Sequence, residues 1–303
     1  MLNKQSKEIR INSSLLQFTK LENSSLVDLL NARSLIHSFS CESDSTLAAG
    51  EYSFLVYGGQ HLTLYNIDGP LCQIPWDTHR LDSIKQMRWS SYHRAYLIMT
   101  ARLFYRFELH SVELFEIKRT FPNYEQLQLF ACHQTDLWLV CLLTRNQRQI
   151  LLHYDLSNWE RKMSETKHFS LDRLGLYRTD RLCAIENNRH GTILALLIAE
   201  RNQNITVGIQ RRRRLILIAI DTMSPRHVIY FSGADDLYWT LTFVPWKSGW
   251  LLSKWFENEI TLVDHQQISS IEYKKALRNV AMTMDGHYLI LRTIDSLDVY
   301  QIY

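Results

Sequence analysis

The chain has 303 residues, 46% hydrophobic and 12% aromatic, with 34 Lys plus Arg against 31 Asp plus Glu for a net charge of +3. That apolar content excludes a disordered chain, and so small a net charge makes no electrostatic case for a nucleic-acid partner. The five cysteines (Cys41, Cys72, Cys132, Cys141 and Cys183) are scattered and include no C-x-x-C pair. They read as reduced, buried small side chains rather than a disulfide framework.

The first residues, Met-Leu-Asn-Lys-Gln-Ser-Lys-Glu, are polar and lack the apolar core of a secretory signal. The strongest apolar runs, Ile193–Ala199 and Leu215–Ile220, are far too short to span a membrane. The expectation is a soluble cytoplasmic protein with no membrane span. The sequon-like triplets at Asn12, Asn23 and Asn204 are then chance matches. Residues 1–33 are expected to form an N-terminal segment. In it, Ser14–Lys20 is a lone strand, and Ser25-Leu-Val-Asp28 resembles a capping box opening a short helix with Leu26, Leu29 and Leu30 on one face.

From residue 34 to 303 one order of elements recurs six times: an entering strand, a turn, a strongly apolar strand, a hairpin, and a strand ending in an apolar-polar pair. The apolar second strands are placed at Tyr52–Tyr57, Ala95–Met99, Leu137–Leu143, Ile193–Ala199, Trp250–Phe256 and Tyr288–Leu291. The closing pairs are Tyr65-Asn66, Phe107-Glu108, Tyr154-Asp155, Ile220-Asp221, Val263-Asp264 and Tyr300-Gln301. Their polar members lie 42, 47, 66, 43 and 37 residues apart, 47 on average. This is the ~40–50-residue period of four-stranded propeller blades. Fourth strands are expected at Leu71–Trp76, Val112–Lys118, Thr166–Leu171, Val228–Phe231 and Ser270–Lys274. Asp285-Gly286 supplies the positive φ of the last tight reversal.

These closing pairs resemble the Trp-Asp dipeptide of WD40 repeats, with Tyr154-Asp155 the nearest match, and Met284-Asp285-Gly286 resembles that family's turn before its second strand. No repeat carries Trp-Asp itself, and the Gly-His pair that opens a typical repeat is absent. The resemblance, to a degenerate WD40-like β-propeller, implies an all-β ring in which the first and last segments share a blade. Six blades are expected, with seven as the alternative if the long interval 155–221 holds one more. Because the last repeat stops after its third strand, an N-terminal strand must cover the edge left open, and Ser14–Lys20 is assigned that role. Glycine, 10 of 303 residues, stands at about half its usual ~7%. Asn, Asp and Ser are therefore expected to make many of the turns.

Two stretches stand out as candidate surfaces. Arg211, Arg212, Arg213 and Arg214 form a run that would suit phosphates of RNA or of an anionic lipid such as a phosphoinositide, or else serve as a solvated rim guarding an apolar strand from edge pairing. The low net charge favours the rim. Trp239, Trp246, Trp250 and Trp255 fall within seventeen residues. Packing between sheets accounts for most of them, while Trp246, flanked by Pro245 and Lys247, is the surface candidate. The partner-binding set is thus Trp246, Lys247, Arg211, Arg212 and Arg213.

No metal-ligand spacing, nucleophile elbow, phosphate loop or dinucleotide motif is present, so no catalytic residue, metal or cofactor is assigned. Cys41, Cys132 and Cys183 are conceivable nucleophiles only if the fold brings a histidine to them. The resulting reading is a non-catalytic platform for protein or peptide partners. Its alternatives are a propeller hydrolase or lactonase with a channel site, and an anionic-ligand binder through the arginine run.

Overall fold

The structure, a computed structural model, describes residues 30, 35–41, 46–117, 124–143, 148–157, 164–174, 176, 180–200, 212–232, 239–255, 257–264 and 268–302, and for 124, 125, 164–166, 173, 212, 231 and 232 the backbone alone. The expected strand Ser14–Lys20 and, Leu30 apart, the expected short helix fall outside these residues.

Among the described residues, twenty-four strands make six antiparallel sheets of four. After β1 (Leu35–Ser40), the first blade is β2 (Leu47–Ala49), β3 (Phe54–Tyr57), β4 (His61–Tyr65) and β5 (Pro70–Pro75). The second holds β6 (Gln86–Ser90), β7 (Ala95–Met99), β8 (Phe104–Glu108) and β9 (Glu113–Ile117), entered through a one-turn helix α1 (Thr78–Leu81). The third is β10 (Tyr124–His133), β11 (Asp136–Leu143), β12 (Gln149–Asp155) and β13 (Ser164–Ser170). The fourth is β14 (Arg181–Asn187), β15 (Ile193–Ala199), β16 (Arg212–Ala219) and β17 (Ser224–Ser232). The fifth is β18 (Trp239–Val244), β19 (Gly249–Lys254), β20 (Glu259–Val263) and β21 (Ile268–Glu272). The sixth is β22 (Leu277–Met282), β23 (Tyr288–Thr293) and β24 (Ser296–Gln301), completed by β1.

Within the first five blades the strands run outward in chain order, in the sixth β1 lies outside β24, and the innermost strands β2, β6, β10, β14, β18 and β22 pack on one another in a closed cycle. The ring is therefore six-bladed. The surplus length of the interval 155–221 adds no seventh sheet among the described residues.

Burial follows position in the blade. Second strands lie between two neighbouring sheets and are covered on both faces, so β3, β7 and β19 are buried at every residue. That is why they read as unbroken apolar runs rather than alternating ones. Outer strands are half exposed, and β21 exposes every second residue. The core is accordingly not one body but six wedges, each filled from two adjacent sheets. Trp76, Met87 and Tyr96 fill the wedge between blades one and two, and Leu251, Leu289 and Tyr300 the one between five and six. At ~1.5–3 kcal/mol per large side chain fully buried, these wedges are what holds otherwise thin sheets together.

Closure is made by β1, whose residues Ser38, Phe39 and Ser40 pair with Asp298, Leu297 and Ser296 of β24. A strand before the repeats does close the ring, but it is Leu35–Ser40. The sequence pattern assigned that stretch to the entry of the first repeat, a place taken instead by the three-residue β2. The seam is fastened by a buried polar cluster. Asp298, 1% exposed, accepts hydrogen bonds from Ser38 Oγ and from Tyr273 Oη, each at 2.5 Å, and the Tyr273 and Tyr300 hydroxyls lie 3.0 Å apart. Burial works to raise the Asp298 carboxyl, but hydrogen bonds from Ser38, Tyr273 and Ser296 outweigh it and hold the group below the usual carboxylate range.

Scarce glycine is offset by unusual turn residues. Gly59, Gly69, Gly191 and Gly286 take positive φ, but so do Asp82, Arg94, Val112, Gln134, Met223 and Ser248. Asp and Ser were expected in this role; Arg, Val, Gln and Met were not. Asp285 shapes the last reversal as expected, accepting from Thr283 Oγ1 at 2.6 Å and from the His287 amide at 3.0 Å.

Candidate functional site at the channel mouth

All six innermost strands run toward the same end of the ring, and their last residues enclose a cavity of about 90 Å³ at the mouth of the central channel. Because the chain turns back into the second strand at this end, the first turn of every blade borders the mouth. The wall is mainly apolar, with Ala48, Trp89, Phe243 and Met282 contributed by four different blades.

Polar residues interrupt it, among them Arg88, Glu186 and Asn187. Arg88 of β6 reaches across the channel: its Nη1 lies 3.2 Å from Glu186 Oε2 on β14, and its Nη2 donates to the carbonyls of Ile185 at 3.3 Å and Leu241 at 3.4 Å. One guanidinium thus ties blade two to blades four and five. Burial pushes the Glu186 carboxyl above its ordinary range, against the pull of the Arg88 charge and the Asn187 amide. The third is Asn187, 5% exposed, whose side-chain oxygen and nitrogen both lack a hydrogen-bond partner.

The rim is shaped by close packing. His133 Nε2 lies 2.8 Å from the Arg189 carbonyl. Its ring rests against Gly191, where a Cβ would sit 2.2 Å from Nδ1 and where φ is +65°. Both demands require glycine. Tyr52 and Tyr92, in the first turns of the adjacent blades one and two, are 76% and 52% exposed. Arg94 is also exposed in the turn of blade two, and Arg189 and His190 are exposed in the first turn of blade four.

Of the conceivable nucleophiles, Cys132 lines the channel, where burial and the neighbouring Glu186 push its thiol up to about 12. The protonated thiol lies 3.2 Å from the Trp89 carbonyl and can donate to it. Burial raises the Cys183 thiol as well. A thiol held protonated is a poor nucleophile.

The residues picked from the sequence do not meet at this mouth. Trp246 sits in a 3-10 turn, Pro245–Lys247, but is 3% exposed and packs in the wedge between blades five and six. This corrects its expected surface position: the turn folds the ring inward, where apolar burial outweighs the unpaired indole nitrogen. Lys247, next to it, is half-buried in the first turn of blade five. Arg213 is likewise inside, 2% exposed, with its guanidinium 4.7 Å from the Trp239 ring centre and Nη1 3.7 Å from Cys183 Sγ. Arg214 pairs with Asp180 at 2.5 Å and Glu200 at 3.5 Å. Half of the arginine run is thus internal to blade four and its neighbour. Arg212 begins β16, and Arg211 falls outside the described residues.

Sequence reasoning missed Arg88, Glu186 and Asn187. The available signal was charged and amide residues inside otherwise apolar inner strands, Gln-Met-Arg-Trp-Ser and Leu-Cys-Ala-Ile-Glu-Asn.

The ring of six four-stranded sheets, closed by an N-terminal strand, is a six-bladed β-propeller. No family model matches the chain, and no curated protein matches it. Among solved structures it is similar to a chain of the "Crystal Structure of Mitotic Checkpoint Complex", at 10% identity and a TM-score of 0.59, over 89% of this chain and 95% of that one. It is also similar to "Kuenenia stuttgartiensis Hydrazine Synthase", at 9% identity and a TM-score of 0.58, over 84% of this chain and 82% of that one. At such identity the likeness is one of fold. No helix among the described residues is long and apolar enough to cross a membrane.

Proposed function

We propose that this propeller is a binding platform for a protein or peptide partner, which docks on the face where the first turns of the blades surround the channel mouth. The observation that carries this reading is the rim itself. Tyr52 and Tyr92 stand exposed on adjacent blades beside a partly apolar opening, and exposed tyrosines flanking a pocket are the kind of anchor that dominates protein interfaces. A channel enzyme of the hydrolase kind would instead need several carboxylates or histidines free to act there. The described lining offers Glu186, engaged by Arg88, and His133, engaged by the Arg189 carbonyl. An anionic-ligand site built on four arginines would have to do without Arg213 and Arg214, which are occupied internally.

The test is affinity capture with the full chain as bait beside a Tyr52→Ala/Tyr92→Ala variant of matched thermal stability. The expected outcome is a partner recovered by the parent and lost from the variant. Equal recovery by both would move the docking surface elsewhere. A bait that recovers nothing yet hydrolyses an ester, lactone or glycoside would overturn the platform reading altogether.

A further inference from the structure

We infer that the peptide segment docking on the channel mouth carries Asp or Glu at its centre and Lys or Arg at its ends; this rests on the platform reading and names the chemistry that face selects. First and third strands of a blade run the same way, so the turn after the third strand lies on the same face as the first turn, farther from the axis. The two sets of turns carry opposite charge. Among the described residues of the first turns, the Lys, Arg, Asp and Glu side chains that stand exposed are Arg94 and Arg189, and Arg189 also lines the cavity. The half-buried Glu51 and Lys247 offset each other, and Asp285 is held by Thr283 Oγ1 and the His287 amide. Among the described residues of the second turns, the exposed charges are Asp68 in blade one and Asp221 in blade four, and Glu113 is exposed where that turn of blade two enters β9.

The two zones are far enough apart to act separately. One turn joins the first two strands of a blade and the other its last two, so at ~4.8 Å per strand they stand about 10 Å apart. That is about the Debye length at 0.1 M salt, so neither zone cancels the other. A ligand therefore meets a positive centre and a negative periphery, although the net charge of the whole chain is only +3. A run of nucleic-acid phosphates or a flat anionic membrane would cover both zones and be repelled by the outer one. A peptide can change the sign of its charge within a few residues. At ~3.3 Å per extended residue, three residues carry it from a central carboxylate to a basic side chain over the outer acids. The exposed Tyr52 and Tyr92 lie in the inner zone, where an aromatic anchor and a charge pair can act on the same segment. Matching of this kind fixes the orientation and identity of a partner more than it adds affinity.

The experiment uses the full chain and four displayed libraries of short peptides, with an RNA oligonucleotide and phosphatidylserine vesicles run alongside. The libraries fix an acidic centre with basic ends, an acidic centre with neutral ends, no charge at these positions, or a basic centre with acidic ends. Retention is expected to fall in that order, by at least about tenfold from first to last, and the spread should narrow as salt is raised. Arg94→Glu with Arg189→Glu should abolish the preference for an acidic centre. Both side chains are exposed, so the fold should survive, which an unchanged thermal midpoint checks. Should that pair fail to fold, Arg94→Gln with Arg189→Gln removes the charge more gently, and the same loss is expected. Any other order of retention, a preference that survives loss of the two arginines, or tighter binding of the RNA or the vesicles overturns the inference. No retention of any library also overturns it. In every such case the Tyr52/Tyr92 capture comparison decides the platform reading separately.

Discussion

Val112 holds a φ of +56° in the exposed turn between β8 and β9, a conformation in which a β-branched side chain crowds its own backbone. The side chain is 42% exposed, so little packing repays the strain. Val112→Gly should therefore stabilise the protein by about 1 kcal/mol, read as a higher urea midpoint at unchanged slope. Gly191 is the opposite case. Its missing Cβ is what lets His133 reach the Arg189 carbonyl, so a residue that looks dispensable in the sequence shapes the rim. Neither position was legible as such, because backbone φ is set by how the flanking strands are aimed and not by the turn residue's own preference.

At the scale of the element, the seam between β1 and β24 carries most of the consequence. Asp298→Asn would replace one of two acceptor oxygens by a nitrogen that faces the hydroxyl of either Ser38 or Tyr273, costing about 1–3 kcal/mol at neutral pH. The folded-state pKa of Asp298 is depressed, so the carboxylate's contribution is fully present above the unfolded value of ~3.9 and is lost as pH falls through the lower folded value. The stability difference between parent and variant should accordingly be constant at neutral pH and close on acidification, as denaturation midpoints across that range will show. A difference that widens in acid would contradict this account of the seam. The repeating strands themselves were legible to within a few residues. Each second strand is covered on both faces, and that burial writes a continuous apolar run into the sequence. Strand β1 was not legible as the closing strand, because an outermost strand leaves a mixed pattern, Leu-Ile-His-Ser-Phe-Ser, that reads equally well as the start of a repeat.

In the whole molecule, Arg88 acts as a spoke joining blades that no loop connects directly. Arg88→Leu strands Glu186 in the channel wall and should cost about 3 kcal/mol, whereas Arg88→Leu with Glu186→Leu should recover most of that loss. The penalty has a pH signature of opposite sign to that of the seam. With its folded pKa already raised by burial and Arg88 gone, Glu186 disfavours folding when ionised, so acidification should restore the single variant relative to the parent. Urea midpoints at neutral and mildly acidic pH check both statements. The channel mouth was invisible in the sequence for a geometric reason. Arg88, Glu186 and Asn187 lie in separate repeats or at the inner ends of strands, and only the circular stacking of sheets brings them to one opening.

The seam also sets a schedule for synthesis. Ser38 and Asp298 are 260 positions apart, so the first strand leaves the ribosome long before its mate exists. At ~5–20 residues per second that wait is on the order of 13 to 50 s. During it, β1 remains an unclaimed ribbon and each finished sheet has one naked flank awaiting the next. Translation speed and chaperone supply, rather than final stability alone, therefore govern how much of this chain reaches its closed form in a cell.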